Sequence, residues 1–309
     1  MRVAIVGAGA MGGLWAARIA ATGTPVTIVD VSEALVSAVK AEGLAVQTSE
    51  GTEIAHPEAT TDAVAAGPAD IVFFFVKAQH TAAAATTARP LVGPDTIVVS
   101  QQNGWGNADV LAGVYAPAHI VIGVTYHSAT VLGSGRVAHT GQGPTVVGPY
   151  EDGVDLDRAN TVRDLLSEAG IDTTVTATVK TEVWKKLILN AATLPTASLT
   201  LLRAGNLGEP GPLLDLVDAV ASEAVAVARA QGYDIDRQER IERIHTVLTG
   251  AGQGKGSMLQ DVEARRKTEI EVINGAVVRA AARHDIAVPL NSAMVALIGG
   301  LERGWRQES

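Results

Sequence analysis

The sequence has no cysteine, few aromatic residues and no long uninterrupted apolar run, and each absence excludes a class of protein. Without cysteine the chain cannot form disulfides or use a thiolate, which suits a reducing compartment, so we expect a cytoplasmic protein. None of its seven histidines forms an HExxH pair, so we expect no metal site. No segment reaches the ~18 consecutive apolar residues of a membrane-spanning helix, so we expect no membrane partner.

Positive charge is also scarce. The chain has 24 Lys and Arg against 33 Asp and Glu, giving a formal net charge of −9, which argues against a nucleic-acid partner. With 309 residues, 47% hydrophobic but only 4% aromatic, it can form two domains whose cores consist mainly of Ala, Val, Leu and Ile.

Short β-branched runs alternate with alanine-rich helical stretches in the first half of the chain. This alternation predicts a parallel sheet with helices on both faces. The predicted strands are Val3–Val6, Val26–Val29, Ile71–Val76, Ile97–Ser100, Ile120–Val124 and Thr173–Val175, and the predicted helices are Gly12–Ala21, Glu33–Ala41 and Leu156–Ala169. Glycine turns over 133–150 predict an antiparallel addition at the sheet edge. We therefore predict an α/β domain over residues 1–176.

Strand signals disappear after about residue 177. Four later stretches have helical patterns: TEVWKKLILNAATL, PLLDLVDAVASEAVAVARAQG, RQERIERIHTVL and SMLQDVEARRKTEIEVINGAVVRAAARHD. Gly232 and Gly250 lie where helices would end. The sequence therefore predicts an all-helical second domain over residues 177–309.

A glycine motif follows the first predicted strand, in VAIVGAGAMGGLWAARIA. Gly7, Gly9 and Gly12 fit G-x-G-x-x-G, in which they allow a tight turn, close approach of a pyrophosphate, and close packing of helix on strand. Ala10 and Met11 lie within this motif and are predicted to bind the cofactor with it, and the N-terminus of the following helix favours phosphate. The order strand, motif, helix and second strand predicts a dinucleotide site, although a glycine-rich turn in another α/β protein has the same pattern.

Asp30 ends the second predicted strand, PVTIVD, about twenty residues past the motif. An acid at this place accepts a hydrogen bond from the adenosine ribose 2′-OH of NAD and repels a 2′-phosphate. The following VSEAL offers no basic residue to hold such a phosphate. The pattern favours NADH over NADPH, the alternative being that Asp30 merely caps the next helix.

The stretch EVWKKLILN (182–190) places two lysines in a helical run. One side of the projected helix is apolar: Trp184, Leu187, Ile188, Ala191 and Leu194. Glu182, Lys186 and Asn190 follow one another on another side at i, i+4 spacing. Taken alone, these residues favour a solvated face with a Glu182–Lys186 pair of about 0.2–0.5 kcal/mol.

Five motifs together resemble the signature blocks of the ketopantoate reductase (2-dehydropantoate 2-reductase) family: GAGAMG, FVKAQH, QQNGWGN, EVWKKLILN and GSMLQDVEARRKTEIEVINGAVV. The resemblance runs from Arg2 to about Pro289. It implies a Rossmann domain followed by an all-α domain resembling the C-terminal domain of 6-phosphogluconate dehydrogenase. It also implies NADPH- or NADH-dependent reduction of ketopantoate, a small 2-oxo acid, to D-pantoate, and it allows a homodimer.

The same resemblance implies the catalytic residues. Lys186 matches the family's general acid, and Glu269 matches a glutamate that contacts the substrate and can keep Lys186 charged. The alternative for Glu269 is an i, i+4 helical pair with Arg265 on a solvated face.

The binding residues are implied in the same way. Lys77 matches a lysine beside the nicotinamide half of the cofactor, and Asn103 an asparagine between cofactor and substrate. Asn190 and Ser257 match substrate-binding residues. Ser257 also begins an S-x-x-Q pattern with Gln260, so a helix N-cap is a second interpretation that is compatible with the first.

Two positions depart from the family pattern. Leu194 stands where the family often has a second asparagine that holds the hydroxylated end of ketopantoate, which leaves a related reductase of another branched 2-oxo acid as an alternative. Most members use NADPH and have a basic residue after the second strand, whereas this chain has Asp30 followed by the neutral Val31 and Ser32. A third alternative is a dinucleotide-binding protein without turnover.

Overall fold

The computed structural model describes residues 1–305 and divides by its internal contacts into two compact units. Unit 1 comprises Met1–Gln102 and Asn107–Lys180, and unit 2 comprises Asn103–Gly106 together with the chain from Thr181 onward. The short segment Asn103–Gly106 therefore belongs to unit 2 by its contacts, although the sequence on both sides of it belongs to unit 1.

Unit 1 contains two sheets. Their strands are β1 Val3–Val6, β2 Val26–Val29, β3 Leu44–Gln47, β4 Thr52–Ala55, β5 Glu58–Thr60, β6 Ala69–Phe74, β7 Val92–Ser100, β8 Ile120–Thr125, β9 Ser128–Gly133, β10 Arg136–Gly141, β11 Thr145–Pro149 and β12 Thr173–Val175. The larger sheet has the order β12-β11-β8-β7-β6-β1-β2-β5, and the smaller one β4-β3-β10-β9. Strand β1 is buried along its whole length and pairs in parallel with β2 and β6, as expected for a central strand covered on both faces.

The helices of unit 1 connect these strands: α1 Ala10–Ala21, α2 Glu33–Glu42, α3 Ala63–Ala66, α4 Thr81–Thr87, α5 Asn107–Ala112 and α6 Asp157–Glu168. Trp15 of α1 and Phe73 of β6 are fully buried in the same apolar core. The predicted parallel α/β sheet is thus confirmed.

Two details of unit 1 differ from the prediction. Strand β6 ends at Phe74 rather than Val76, so the next residues leave the sheet at its carboxyl edge. Of the predicted antiparallel addition, β11 pairs with β8 of the main sheet, whereas β9 and β10 join β3 in the smaller sheet. Local sequence patterns do not predict that second sheet, because β3 and β4 are short and carry polar residues among the apolar ones.

Unit 2 is helical, as predicted. Its helices are α7 Val179–Thr200, α8 Ala204–Leu207, α9 Pro212–Ala230, α10 Arg237–Ala251, α11 Ser257–Glu263, α12 Asn274–Ala282 and α13 Pro289–Trp305. The first two residues of α7 belong to unit 1. Trp184, Leu187 and Ile188 of α7 lie in its core together with residues of α9, so the predicted apolar face is confirmed. Among the helices of residues 1–305, none is both long enough and apolar enough to cross a membrane.

The long helix predicted from Ser257 onward is interrupted. α11 ends at Glu263, Arg265 adopts a positive φ of 49°, and a short 3-10 turn at Ile270–Val272 precedes α12. The Arg266 N–H closes the end of α11 by donating to the Asp261 carbonyl at 2.8 Å. The stop predicted at Gly250 falls one residue before the observed end of α10 at Ala251, where Gly252 is the C-cap.

Candidate active site

The glycine loop between β1 and α1 is packed so tightly that side chains are excluded from two of its positions. Gly7 has a φ of +88°, and a Cβ there would lie 2.7 Å from the Val76 side chain. A Cβ on Gly12 would lie 2.0 Å from the Gly7 carbonyl oxygen. The motif thus provides a tight turn and a close helix–strand contact.

Gly9 differs from these two glycines because it is exposed. No heavy atom within residues 1–305 lies within 4 Å of a Cβ placed there, once its chain neighbours are excluded. Gly9 is the N-cap of α1, which opens with Ala10 and Met11 and carries no acidic residue in its first turn. Open space above a helix N-terminus fits the pyrophosphate of a dinucleotide.

Asp30 follows β2 and fixes the glycine loop. Its Oδ2 accepts a hydrogen bond from the Ala8 N–H at 2.8 Å, and its Oδ1 accepts one from the Ser32 N–H at 2.9 Å. The N-cap of α2 is Ser32, whose hydroxyl accepts from the Leu35 N–H at 3.3 Å. The alternative that Asp30 caps the helix is therefore wrong.

Lys77 lies at the carboxyl end of β6, in the segment that packs against the glycine loop. It precedes a 3-10 turn and is half-buried. The neighbouring Val76 contacts the Gly7 position, and its carbonyl accepts from Gln102 Nε2 at 2.8 Å. The predicted cofactor residues of unit 1 thus lie along one edge of the sheet, where parallel α/β folds bind their ligands.

In unit 2, α7 presents Lys186 and Asn190 one turn apart. The Lys185 ammonium donates to the carboxylate of Glu182 at 2.8 Å, so Glu182 pairs with the lysine three residues on. Asn190 is 9% exposed, and Lys186 is half-buried. The two adjacent lysines therefore interact with different carboxylates, Lys185 with Glu182 and Lys186 with Glu269.

Burial lowers the pKa of Lys186 to about 8, and the negative charge of Glu269 opposes that shift. Glu269 is only 8% exposed and precedes the 3-10 turn that leads to α12. The alternative of a solvated helical pair with Arg265 is wrong, because Glu269 is buried and the intervening residues are not helical. The structure thus brings a lysine of α7 and a carboxylate 83 positions later in the chain into electrostatic contact.

Asn103 begins the short segment that joins unit 2. Gly104, with a φ of +87°, approaches the Val272 backbone so closely that a Cβ would lie 2.5 Å from its carbonyl oxygen. The Trp105 N–H donates to the same oxygen at 2.8 Å, and the Trp105 ring lies 5.5 Å from the Trp184 ring. These contacts bring Asn103 near the segment after Glu269.

Ser257 is the first residue of α11, and the N-cap is Gly256, so the predicted capping box is wrong. Gln260 instead donates its side-chain amide to the Lys255 carbonyl at 3.1 Å. Leu194 of α7 packs beside this helix start, since its Cδ2 would lie 2.8 Å from a Cβ on Gly256. Ser257 is therefore linked to the same helix that carries Lys186.

One buried amide cluster is not predicted by the sequence patterns. Asn274 and Asn291 are fully buried, and Asn274 Nδ2 donates a hydrogen bond to Asn291 Oδ1 at 3.1 Å. Its only sequence signal is Pro195 within the helical run of α7, since a proline leaves a helical carbonyl in need of another donor. Within residues 1–305 there is no group of three or more His, Asp or Glu side chains arranged to hold a metal ion.

Family models match both parts of the chain. The model described as "Ketopantoate reductase PanE/ApbA" matches residues 3–152, and that described as "Ketopantoate reductase PanE/ApbA C terminal" matches residues 178–302. The chain belongs to the ketopantoate reductase family. Its Rossmann-type sheet followed by a helical domain is the arrangement that this membership predicts.

Relatives of this family cover nearly the whole chain. A 2-dehydropantoate 2-reductase of Halobacterium salinarum is 33% identical over 300 residues, covering 96% of this chain and 98% of the relative. The crystal structure of a PanE/ApbA family ketopantoate reductase from Ralstonia eutropha is 29% identical, with a TM-score of 0.90 and coverage of 99% of this chain and 100% of that chain. A D-mandelate dehydrogenase solved with NADH and anilino(oxo)acetate is 25% identical, with a TM-score of 0.94 and coverage of 98% and 99%.

Proposed function

We propose that the protein reduces a 2-oxo acid to the 2-hydroxy acid, with ketopantoate and D-pantoate as substrate and product. The observation that carries the proposal is the ammonium of Lys186, whose pKa burial lowers to about 8 and which interacts with the buried Glu269. Family membership supports the same activity. A dinucleotide-binding protein without turnover would have no use for a lysine kept in this environment.

Reduction requires a hydride at C2 of the substrate and a proton at the carbonyl oxygen. A bound nicotinamide dinucleotide supplies the hydride, and Lys186 would donate the proton to the developing alkoxide. A positioned acid contributes about 10²–10⁴-fold, most when its pKa lies near the working pH. An ordinary lysine pKa of about 10.4 is too high for efficient proton donation near neutral pH. The proposal therefore depends on the burial that lowers the pKa of Lys186.

The remaining residues would bind and orient the substrate. In this proposal Asn190, one turn after Lys186, and Asn103 donate amide hydrogen bonds to substrate oxygens, and the Ser257 hydroxyl donates another. Glu269 stabilises the charged form of Lys186 and orients it. All five side chains belong to unit 2, so one unit carries the groups that contact the 2-oxo acid.

For the cofactor, we propose that NADH is accepted at least as well as NADPH. The Asp30 carboxylate is held by the N–H groups of Ala8 and Ser32. In this proposal it would accept from ribose hydroxyls and would repel a 2′-phosphate. Gly7, Gly9, Ala10, Met11 and Gly12 would hold the pyrophosphate, with Lys77 and Asn103 at the nicotinamide half. The solved D-mandelate dehydrogenase binds NADH, which is consistent with this proposal.

A second candidate is a 2-oxo acid with an apolar side chain. Leu194 continues the row of Lys186 and Asn190 along α7 and packs beside Gly256, which precedes Ser257. A leucine cannot donate a hydrogen bond to a substrate hydroxyl, whereas it would contact a hydrocarbon group favourably. The D-mandelate dehydrogenase, whose solved complex contains anilino(oxo)acetate, is also similar to this chain.

A kinetic matrix tests these proposals. Initial rates would be measured with NADH and NADPH against ketopantoate, 2-oxoisovalerate and phenylglyoxylate. We expect turnover with ketopantoate and a kcat/KM with NADH no lower than with NADPH. Faster turnover of 2-oxoisovalerate or phenylglyoxylate would favour the second candidate, and strict NADPH dependence would refute the role of Asp30. Dinucleotide binding without oxidation by any 2-oxo acid would refute both reductase proposals.

A further inference from the structure

Helix α7 contains a proline at a costly place. Pro195 lies inside the helix and has no backbone N–H, so it cannot donate to the carbonyl of Ala191 four residues earlier. Ala191 is fully buried and directly follows Asn190. A buried carbonyl left without its partner costs about 1–3 kcal/mol, so another donor is needed there.

Asn274 supplies that donor. Its Nδ2 donates to the Ala191 carbonyl oxygen at 2.9 Å and to the Asn291 Oδ1 at 3.1 Å. Asn291 is in turn held by Glu223, whose carboxylate accepts from its Nδ2 at 2.8 Å and from its backbone N–H at 2.9 Å. Two fully buried amides and a carboxylate thus fix one hydrogen bond to α7.

The hydroxyl groups near Pro195 donate to other carbonyls of α7. Each donates to the carbonyl four residues earlier: Thr193 to Leu189, Thr196 to Ala192, Ser198 to Leu194 and Thr200 to Thr196. The carbonyl of Ala191 would need its donor at position 195, which is the proline. Its donor therefore comes from a distant part of the chain.

We propose that Asn274 is a positioning residue that replaces the missing N–H of Pro195 and thereby holds the turn carrying Lys186 and Asn190. Asn274 begins α12, five residues after Glu269, so the same contact ties the helix of the lysine to the segment of the carboxylate. The inference rests on the proposed reductase function. It adds a residue that touches neither substrate nor cofactor in that proposal.

The donor role is supported by the other end of the same amide. Asn274 Oδ1 is buried and accepts no hydrogen bond within residues 1–305, which is a cost that an apolar side chain of similar size would avoid. Turning the amide over would place Oδ1 against two other acceptors, the Ala191 carbonyl and Asn291 Oδ1. The amide at position 274 therefore acts through its Nδ2 donor and not through its oxygen.

A double-mutant cycle tests the proposal: wild type, Asn274→Ala, Pro195→Ala and the double variant. Pro195→Ala restores an N–H at position 195, so the Ala191 carbonyl regains a helical donor. We expect Asn274→Ala to lower kcat/KM by about 10-fold or more in the wild-type background, but by less than about 3-fold in the Pro195→Ala background. The pH at which kcat falls should shift in Asn274→Ala and return in the double variant.

Equal losses of kcat/KM in both backgrounds would overturn the proposal, as would a lower melting temperature with unchanged kcat/KM and pH profile. If Asn274→Ala does not fold, Asn291→Ala is the second variant, because it removes the residue that anchors Asn274 while leaving the donor in place. It should lower kcat/KM by a smaller factor with the same rescue by Pro195→Ala, and a loss without rescue would overturn the proposal. Absence of wild-type turnover would refute the proposed function instead. In that case the coupling between Asn274→Ala and Pro195→Ala in the free energy of unfolding would still decide whether Asn274 replaces the missing N–H.

Discussion

The two units build their candidate binding groups in opposite ways. In unit 1 the glycine loop is local: six consecutive residues, Gly7–Gly12, form a turn and a helix start, and only Asp30 and Lys77 come from farther along the chain. In unit 2 the candidate residues extend from Asn103 to Glu269, and long-range contacts such as that between Lys186 and Glu269 bring them together. Substitutions in unit 1 should therefore have local effects, whereas those in unit 2 should reveal coupling.

The largest contrast should lie within unit 2, between two adjacent lysines. Lys186→Ala should lower kcat by about 10²-fold or more, because it removes the proposed proton donor. Lys185→Ala is the matched control, because it removes only an ion pair with Glu182, which is worth about 1 kcal/mol or less. Steady-state rates and melting curves for both variants measure the difference, and equal rates would remove Lys186 from the mechanism.

In unit 1 the same kind of contrast separates two glycines. Gly9→Val should raise the KM for the dinucleotide by about 10-fold or more with little change in melting temperature, because space there is open. Gly12→Val should destabilise the fold instead, because its Cβ would collide with the Gly7 carbonyl. Thermal unfolding and cofactor titration distinguish the two effects, and a normal cofactor KM in Gly9→Val would contradict the pyrophosphate assignment.

The pH dependence should report the coupling of Lys186 with Glu269. The pKa of Lys186 is lowered to about 8, so its acid form is lost, and kcat for reduction should fall, as the pH rises through about 8. Glu269→Gln removes the charge that opposes this shift, so the pKa should fall further and the decline should begin at lower pH. A pH profile with an unchanged decline in Glu269→Gln would show that the two residues act independently.

The smallest expected effect concerns substrate choice. Leu194→Asn places an amide in the row of Lys186 and Asn190, so the ratio of kcat/KM for ketopantoate over 2-oxoisovalerate should rise by about 10-fold, the value of one added hydrogen bond. The ratio of NADH to NADPH rates serves as the control, because Asp30 in unit 1 is unchanged. An unaltered substrate ratio would show that Leu194 does not contact the substrate side chain.

The sequence predicts most of unit 1 because its signals are local. Strand β1 and the loop from Gly7 to Gly12 follow from apolar runs and glycine spacing alone. The smaller sheet was missed because strands such as β4, with two of its four residues polar, have no strong local signal. Tertiary pairing, which a local pattern does not contain, stabilises it.

In unit 2 the sequence predicts helices better than their ends. The helical pattern continued past Glu263, but the Arg266 guanidinium binds Asp261, and both the N–H and the hydroxyl of Thr268 donate to the Glu302 carboxylate. Contacts with a residue 34 positions later thus hold the segment out of a helix. Family resemblance selected Lys186 over Lys185, whereas its burial follows only from the folded packing.

Product analysis tests whether this chain is a 2-oxo acid reductase that uses Lys186 as its acid. Wild-type protein would be incubated with NADH and ketopantoate, and pantoate formation would be measured together with NADH oxidation. We expect one pantoate formed per NADH oxidised, with the rate saturating in ketopantoate and nearly abolished in Lys186→Ala. Pantoate formation at the wild-type rate in Lys186→Ala, or NADH binding with no pantoate formed, would contradict it.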